Sequence, residues 1–315
     1  MNTLKINSYA KVNLTLEITG VENGYHMLDS LVASIDLFDR IVLKKRKDTL
    51  SSVRMVGMGS ESIPPEKNNA LKAAEAFSEK FGVNGADITV YKNIPMGAGL
   101  GGSSADVAGV LNGMARLYGI EDFDGLGEIA DRLGSDTRYM LTGGFARIQG
   151  RGEKVTPLPI TASLYMLLIC PFSDVSSGAC YREYDRLTLT KNPKNNTQNC
   201  IDALTVKNVN ERGRYLMNDL YEPAKSLNKD VETAFLEAES FSPLGTVMTG
   251  SGSCVLALFE TRELCEWAKS RYRGKFRTLV TKTLKPNYRV KEKRGLFGWH
   301  NPFVLSEEEI EDTRD

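Results

Sequence analysis

Residues 94–106 place Gly97, Gly99, Gly101 and Gly102 ahead of the hydroxyls of Ser103 and Ser104. Residue types in this pattern suit a phosphate cradle. Glycines let the backbone approach an anion without side-chain clash, and unpaired amides at a helix start point at it. Nucleotide chemistry is therefore the first reading, with a plain glycine-rich turn as the bland one. The elements that must hold the loop are legible on both sides. Residues 86–91 (Ala-Asp-Ile-Thr-Val-Tyr) read as a strand, and residues 105–118 carry Val107, Val110, Leu111, Met114 and Leu117 at helical spacing.

Two standard phosphate motifs partly match this loop. Gly97, Gly99 and Gly102 satisfy the dinucleotide pattern, which also requires a second strand closed by an acidic residue. That strand is missing, because residues 123–133 are again helical in pattern and leave Glu121, Asp122 and Asp124 in an inter-helix turn. The spacing from Gly97 to Gly102 is that of a P-loop, but Ser103 stands where the lysine is needed. Neither assignment holds, and a dehydrogenase becomes a remote reading.

The chain has 315 residues, enough for two packed lobes sharing a cleft. Lysine plus arginine equals aspartate plus glutamate at 40 each, so no broad basic field points to nucleic acid or an acidic membrane surface. A small-molecule substrate is the better expectation. Apolar runs stay strand-sized and the N-terminus carries no signal-like segment, so a cytoplasmic protein is expected, monomeric or weakly homodimeric. Five cysteines without C-x-x-C spacing read as buried free thiols, and two histidines, His26 and His300, exclude a histidine-rich metal centre.

Along the chain, residues 3–55 read as short alternating strands, including one over residues 8–16, and residues 69–81 as an amphipathic helix through Leu71, Ala74, Phe77 and Phe81. Residues 145–155 read as a hairpin around Gly150-Arg151-Gly152, and residues 164–170 as a buried strand. The asparagine- and lysine-rich residues 191–199 read as a surface loop. From residue 216 helix and strand alternate to about residue 280. The fold class is α+β.

A second set of residues lies far from the glycine loop. Ala10-Lys11-Val12-Asn13-Leu14, Gly24-Tyr25-His26, Leu133-Gly134-Ser135-Asp136, Asn218-Asp219-Leu220 and Met248-Thr249-Gly250-Ser251-Gly252 accompany it in that order. Together they resemble the GHMP small-molecule kinases, over about residues 6–259. The resemblance implies a two-lobe fold with the active site in the cleft between a domain over residues 1–160 and another over 161–285, followed by an extension over 286–315. It also implies ATP, with magnesium, as cofactor. Gly24-Tyr25-His26 after Lys11-Val12-Asn13 is its most specific element and resembles the members whose acceptor is a cytidine diphosphate-linked polyol. A homoserine or mevalonate type of acceptor, or a non-catalytic ATP-binding homologue, stays open beside it.

By that resemblance, Pro95, Met96, Gly97, Ala98, Gly99, Leu100, Gly101, Gly102, Ser103, Ser104 and Ala105 hold the nucleotide phosphates, with Ser104 as the metal-side hydroxyl. Asn68 and Lys92 match positions near the adenine, against an ordinary surface role. Asp136 matches the catalytic aspartate, whereas its place after Gly134-Ser135 alone favours a helix N-cap. Lys11 matches the cation beside it, whereas a lysine in an apolar strand usually snorkels to water. Tyr25, His26 and Tyr181 would recognise the cytosine by stacking and hydrogen bonding, against half-buried packing roles. Asn13 would contact the polyol or phosphate portion, and Gly250 and Ser251 would line the cleft from the opposite lobe or merely turn the chain.

Three features depart from the family pattern. Ser103 and Ala105 stand where it commonly has glycine and serine, with Asp106 still in register. Thr137-Arg138-Tyr139 replaces valine-proline-phenylalanine and is expected to bring the Arg138 charge near the site. The end from residue 283 extends past the resemblance, with an aromatic patch at Phe297, Trp299 and Phe303 and an acidic tail over residues 307–315, read as solvated.

Overall fold

The computed structural model describes residues 2–60, 63–187, 195–205 and 209–284. The elements run β1 (Thr3–Asn13), β2 (Thr15–Glu22), β3 (Tyr25–Lys45), β4 (Ser52–Val56), α1 (Asn69–Phe81), β5 (Ala86–Tyr91), α2 (Gly102–Tyr118), α3 (Phe123–Leu133), α4 (Thr137–Thr142), β6 (Phe145–Gly150) and β7 (Lys154–Pro157). They continue as β8 (Tyr165–Cys170), α5 (Ser177–Arg186), α6 (Asn196–Thr205), β9 (Met217–Asn218), α7 (Tyr221–Leu227), α8 (Lys229–Glu239), β10 (Gly245–Met248), β11 (Val255–Phe259), α9 (Arg262–Arg271) and β12 (Arg277–Lys282).

Strand β3, 21 residues long, organises the larger sheet. It pairs antiparallel with β1, β2, β5 and β6 along different parts of its length, so the short strands expected near the N-terminus share one long neighbour. Strand β4 adds parallel to β5, and β9 adds parallel to β2. Helix α2 lies on this sheet and is buried on most sides. A Cβ on Gly109 would come 2.5 Å from Ile41 and one on Gly113 would come 2.6 Å from Leu43, so these glycines set the close approach of helix to sheet.

The smaller sheet is antiparallel in the order β10-β11-β8-β12. Its central strands are apolar at every position because both faces are covered. Met166, Leu168 and Cys170 pack into the core of the larger sheet, while Leu167 and Ile169 pack with Val231, Ala234 and Ala268 of α8 and α9. All five cysteines are buried and free, as the composition indicates.

Two expectations are corrected. The strand over residues 8–16 is broken at Leu14, because the Asn13 N–H leaves the ladder to donate to Thr249 Oγ1 at 2.9 Å. The surface loop over residues 191–199 is helical from Asn196, with Thr197 and Cys200 buried. Its first amides donate to a carboxylate far away in sequence, Asn196 N to Glu17 Oε1 at 3.1 Å and Thr197 N to Glu17 Oε2 at 2.9 Å. Residues 191–194 and the end from 285 lie outside the described residues, as do Phe297, Trp299, Phe303 and the acidic tail.

Candidate active site

The glycine loop joins β5 to α2 and is gripped from outside through its carbonyl groups. Ala98 O accepts from Cys254 N (3.2 Å) and Leu100 O from Lys11 N (3.1 Å), while Gly99 O accepts from Thr249 Oγ1 at 3.4 Å. The pairing of β1 with β3 shifts register between Tyr9 and Lys11, where the Lys11 N–H turns to the loop. Gly99 has φ +74°, and a Cβ there would stand 2.1 Å from Thr249 O, so no other residue fits this contact between loop and turn. Gly101 caps α2 in a left-handed conformation, and the first-turn amides of the helix lack intrahelical partners.

Lys11 and Asp136 meet beside Gly101. The Lys11 ammonium lies 3.3 Å from Asp136 Oδ2 and donates to Asn13 Oδ1 at 2.5 Å. Its stem runs past the loop, since a Cβ on Gly101 would come 3.2 Å from Lys11 Cγ. The snorkelling role is therefore corrected: the Lys11 side chain is 5% exposed and Asp136 29%. Asp136 does occupy the N-cap position of α4, yet its carboxylate caps no amide. The local pattern located the helix start, and the carboxylate faces the cation instead of the helix. Asn13 ties this pair to both lobes, for its Oδ1 also accepts from Gly250 N (3.2 Å) and its Nδ2 donates to Ser30 Oγ (2.9 Å).

Lys92 and Asn68 are not surface residues. The Lys92 ammonium, 3% exposed, is shared between Asp39 and Asp106, at 2.7 Å from Asp106 Oδ2. Asp39 Oδ1 accepts from the Ile94 N–H at 2.9 Å and also from Asn93 N–H, which fixes the root of the loop. Burial works against the charge on Lys92, but the attraction of Asp106 and Asp39 outweighs it and raises the lysine pKa. Burial pushes the Asp106 carboxyl up to about 8, with the competing charge of Asp39 adding to the shift. Asp106 Oδ1 is buried with no hydrogen-bond partner among the described residues. Asn68 caps α1 through Oδ1, which accepts from Ala70 N (3.0 Å) and Leu71 N (3.4 Å).

Aromatic side chains gather at the other end of the site. His26 stacks on Tyr181 with centroids 4.9 Å apart, and its Nε2 lies 2.8 Å from Asp185 Oδ1. Burial, with the Asp136 charge behind it, raises the Tyr181 phenol above its usual range. Tyr25 is 56% exposed, and the Arg151 guanidinium sits 4.9 Å from its ring centroid. Ser251 pairs with Ser177 at 2.8 Å between hydroxyl oxygens. One cavity of about 680 Å³ is lined by the loop, Lys11, Asp136, Asn13, Asn68 and Lys92, and also by Tyr25, His26, Tyr181, Gly250 and Ser251. Every other residue proposed from the sequence except Ala105 lines it too; Ala105 is buried in α2 behind the loop.

Arg138 is a correction. Its guanidinium makes a two-pronged pair with Asp131 of α3, both contacts 2.6 Å, and it is absent from the cavity lining. Sequence reasoning missed Asp185, which lies one helical turn after Tyr181 on α5, and Asp39, whose partner is distant in sequence. The spacing from Tyr181 to Asp185 was the available signal for the first.

Comparisons with known proteins bear on the family and the fold. The family model for the GHMP kinases N terminal domain matches residues 68–146, and that for GHMP kinases C terminal matches residues 200–275. The 4-diphosphocytidyl-2-C-methyl-D-erythritol kinase of Clostridium beijerinckii is 35% identical over 300 residues, 89% of this chain and 100% of the relative. The enzyme of the same name from Symbiobacterium thermophilum is 37% identical over 270 residues, covering 82% and 92%. Among solved structures, a 4-(cytidine 5'-diphospho)-2C-methyl-D-erythritol kinase superposes with TM-score 0.74 at 29% identity, covering 89% of this chain and 99% of that one. A homoserine kinase from Cytophaga hutchinsonii, at TM-score 0.66 and 20% identity, shares the fold. With two relatives above 30% identity over nearly their whole length, this chain belongs to the 4-diphosphocytidyl-2-C-methyl-D-erythritol kinase family of GHMP kinases.

Proposed function

We propose that this protein transfers the γ-phosphoryl group of ATP to the 2-hydroxyl of 4-diphosphocytidyl-2-C-methyl-D-erythritol, in the supply of isoprenoid precursors. The observation that carries the reading is the Lys11–Asp136 pair, 3.3 Å apart, in a cavity that joins the glycine loop to the aromatic cluster. Phosphoryl transfer needs a holder for the triphosphate, cationic charge at the moving group and an acceptor for the hydroxyl proton. Loop amides and the α2 N-terminus serve as the holder. Asp136 orients the hydroxyl and takes its proton as the oxygen bonds to the γ-phosphorus and ADP leaves. Lys11 keeps that carboxylate ionised and offsets charge at the reacting oxygen.

Magnesium fits this site as a companion of the nucleotide. Ser104 lines the cavity in the first turn of α2, and Asp106 holds an unpaired carboxylate oxygen in the same turn region. A magnesium ion here would share its ligands with phosphates and water. Bound there, the ion would neutralise charge on the β- and γ-phosphates. Among the described residues no helix is long and apolar enough to cross a membrane. A cytoplasmic enzyme, monomeric or weakly dimeric, completes the proposal.

The test is a coupled ADP-release assay with the cytidyl acceptor, mevalonate and homoserine offered separately. ADP release with the cytidyl acceptor alone is the expected result. Release with either other alcohol instead assigns a different acceptor, and ATP binding without any acceptor-dependent release leaves a nucleotide-binding module. Removing the His26 anchor gives a milder effect. Asp185→Ala is expected to raise the KM for the cytidyl acceptor about three- to tenfold, as expected for one hydrogen bond, with the KM for ATP unchanged.

A further inference from the structure

The segment Asn218-Asp219-Leu220 stands where the two sheets meet. Strand β9 is seated on β2 of the larger sheet, with Met217 N donating to Leu14 O (3.3 Å) and Asp219 N to Leu16 O (2.9 Å). The Asp219 carboxylate secures this seating, since its Oδ2 accepts from the Ile18 N–H at 2.7 Å. Leu220 is buried and lines the cavity, whereas Asn218 does not line it. The Asn218 carboxamide reaches instead to the turn that follows β10 of the smaller sheet. Its Nδ2 donates twice there, to Met248 O at 2.7 Å and to Gly250 O at 2.8 Å. Its Oδ1 accepts from the Leu220 N–H at 2.9 Å, an ordinary side-chain turn leading into α7.

The two donated bonds do something that the turn into α7 does not require. They fix the carbonyls of Met248 and Gly250, while the Thr249 carbonyl between them packs against Gly99 of the glycine loop. Gly250 has φ +60°, and a Cβ there would come 2.9 Å from Gly99 O, so the turn has no slack against the loop. Held this way, the Gly250 N–H donates to Asn13 Oδ1 at 3.2 Å. The same oxygen accepts from the Lys11 ammonium at 2.5 Å, and that ammonium lies 3.3 Å from Asp136 Oδ2. An amide oxygen has two lone pairs, so these two donors fill Asn13 Oδ1 between them. A chain of hydrogen bonds therefore runs from Asn218 through Gly250 and Asn13 to Lys11, and it reaches the reacting pair from outside the cavity.

We propose that Asn218 is a positioning residue for phosphoryl transfer: its two donated hydrogen bonds hold the Met248–Gly250 turn so that Asn13 keeps the Lys11 ammonium against Asp136. The inference rests on the kinase reading given above. Its test compares two substitutions in the full-length protein by ADP release with the cytidyl acceptor. Asn218→Asp keeps an acceptor for the Leu220 N–H and removes both donors, whereas Asn218→Ala removes donors and acceptor alike. Both should lower kcat about tenfold or more, with the KM for ATP and for the acceptor within about threefold, because a small displacement of reacting groups costs rate more than binding. In a Lys11→Ala background either substitution should lower kcat by less than about twofold, since the side chain through which Asn218 acts is gone.

Native kcat in Asn218→Asp, with the loss confined to Asn218→Ala, overturns the proposal and reduces Asn218 to the turn into α7. So does a loss carried by KM with kcat unchanged, and so does a loss in kcat that persists in full without Lys11. Circular dichroism and thermal melting follow folding in each variant. Should Asn218→Asp not fold, Asn218→Ala with and without Lys11 decides alone; failure of both to fold makes the side chain structural and overturns the proposal. A native protein with no acceptor-dependent ADP release sinks the kinase reading and this inference together, whereas native turnover with unchanged kcat in both variants sinks only this one.

Discussion

Asp136→Asn is expected to lower turnover about a hundredfold or more while the protein stays folded and binds ATP. The size follows from what is lost: an amide keeps the shape of the carboxylate but cannot take the hydroxyl proton, a contribution typically of two to four orders of magnitude. Folding should survive because the side chain is 29% exposed and caps no amide of α4. Lys11→Ala should fall by a comparable factor, since it removes the cation 3.3 Å from that carboxylate and the donor to Asn13. Combining the two should cost much less than the product of the single losses, because both act in one step. Turnover near the native rate in either folded single variant would rule the assigned chemistry out. So would a double variant with fully multiplicative losses rule out the coupling.

What the sequence made legible was local. The helices over residues 69–81 and 123–133 lie where apolar spacing places them, and Asn68 and Asp122 cap them by accepting from amides two and three residues on. The glycine loop was legible because punctuation between a period-two and a 3.6-residue pattern survives any tertiary context. Strand β3 was not legible as one element, since Asp29, Ser30, Ser34, Asp36 and Asp39 interrupt its apolar residues. Each of them is satisfied from afar: Asp29 by Arg147, Ser30 by Asn13, Ser34 by Tyr139, Asp36 by Thr281 and Asp39 by Lys92. The start of α6 stayed hidden for the same reason, because its cap is Glu17 of β2 and not a neighbour in sequence. Within the site, Lys11 and Asp136 each had a commonplace local reading. Only the resemblance joined them, as no pattern in one segment encodes a partner in another.

Lys92 carries the largest expected effect on stability, and its variant separates two roles for the side chain. The ammonium is the shared counter-charge of Asp39 and Asp106, whose side chains are 0% and 6% exposed. Lys92→Met keeps much of the volume and removes the charge, leaving two carboxyl groups buried against one another. Breaking a buried pair in this way typically costs about 3–5 kcal/mol, a fall on the order of 10 °C in Tm for a chain of this size. Adding Asp106→Asn should recover part of the loss, because only one acidic side chain then remains unpaired. Nucleotide affinity should fall with stability, since the same Asp39 carboxylate holds the Asn93 and Ile94 amides at the root of the loop. Thermal melting together with the KM for ATP decides the matter. A Lys92→Met protein that melts like the native one yet binds ATP weakly would place the ammonium against the adenine, and the buried triad would then contribute nothing to holding the loop.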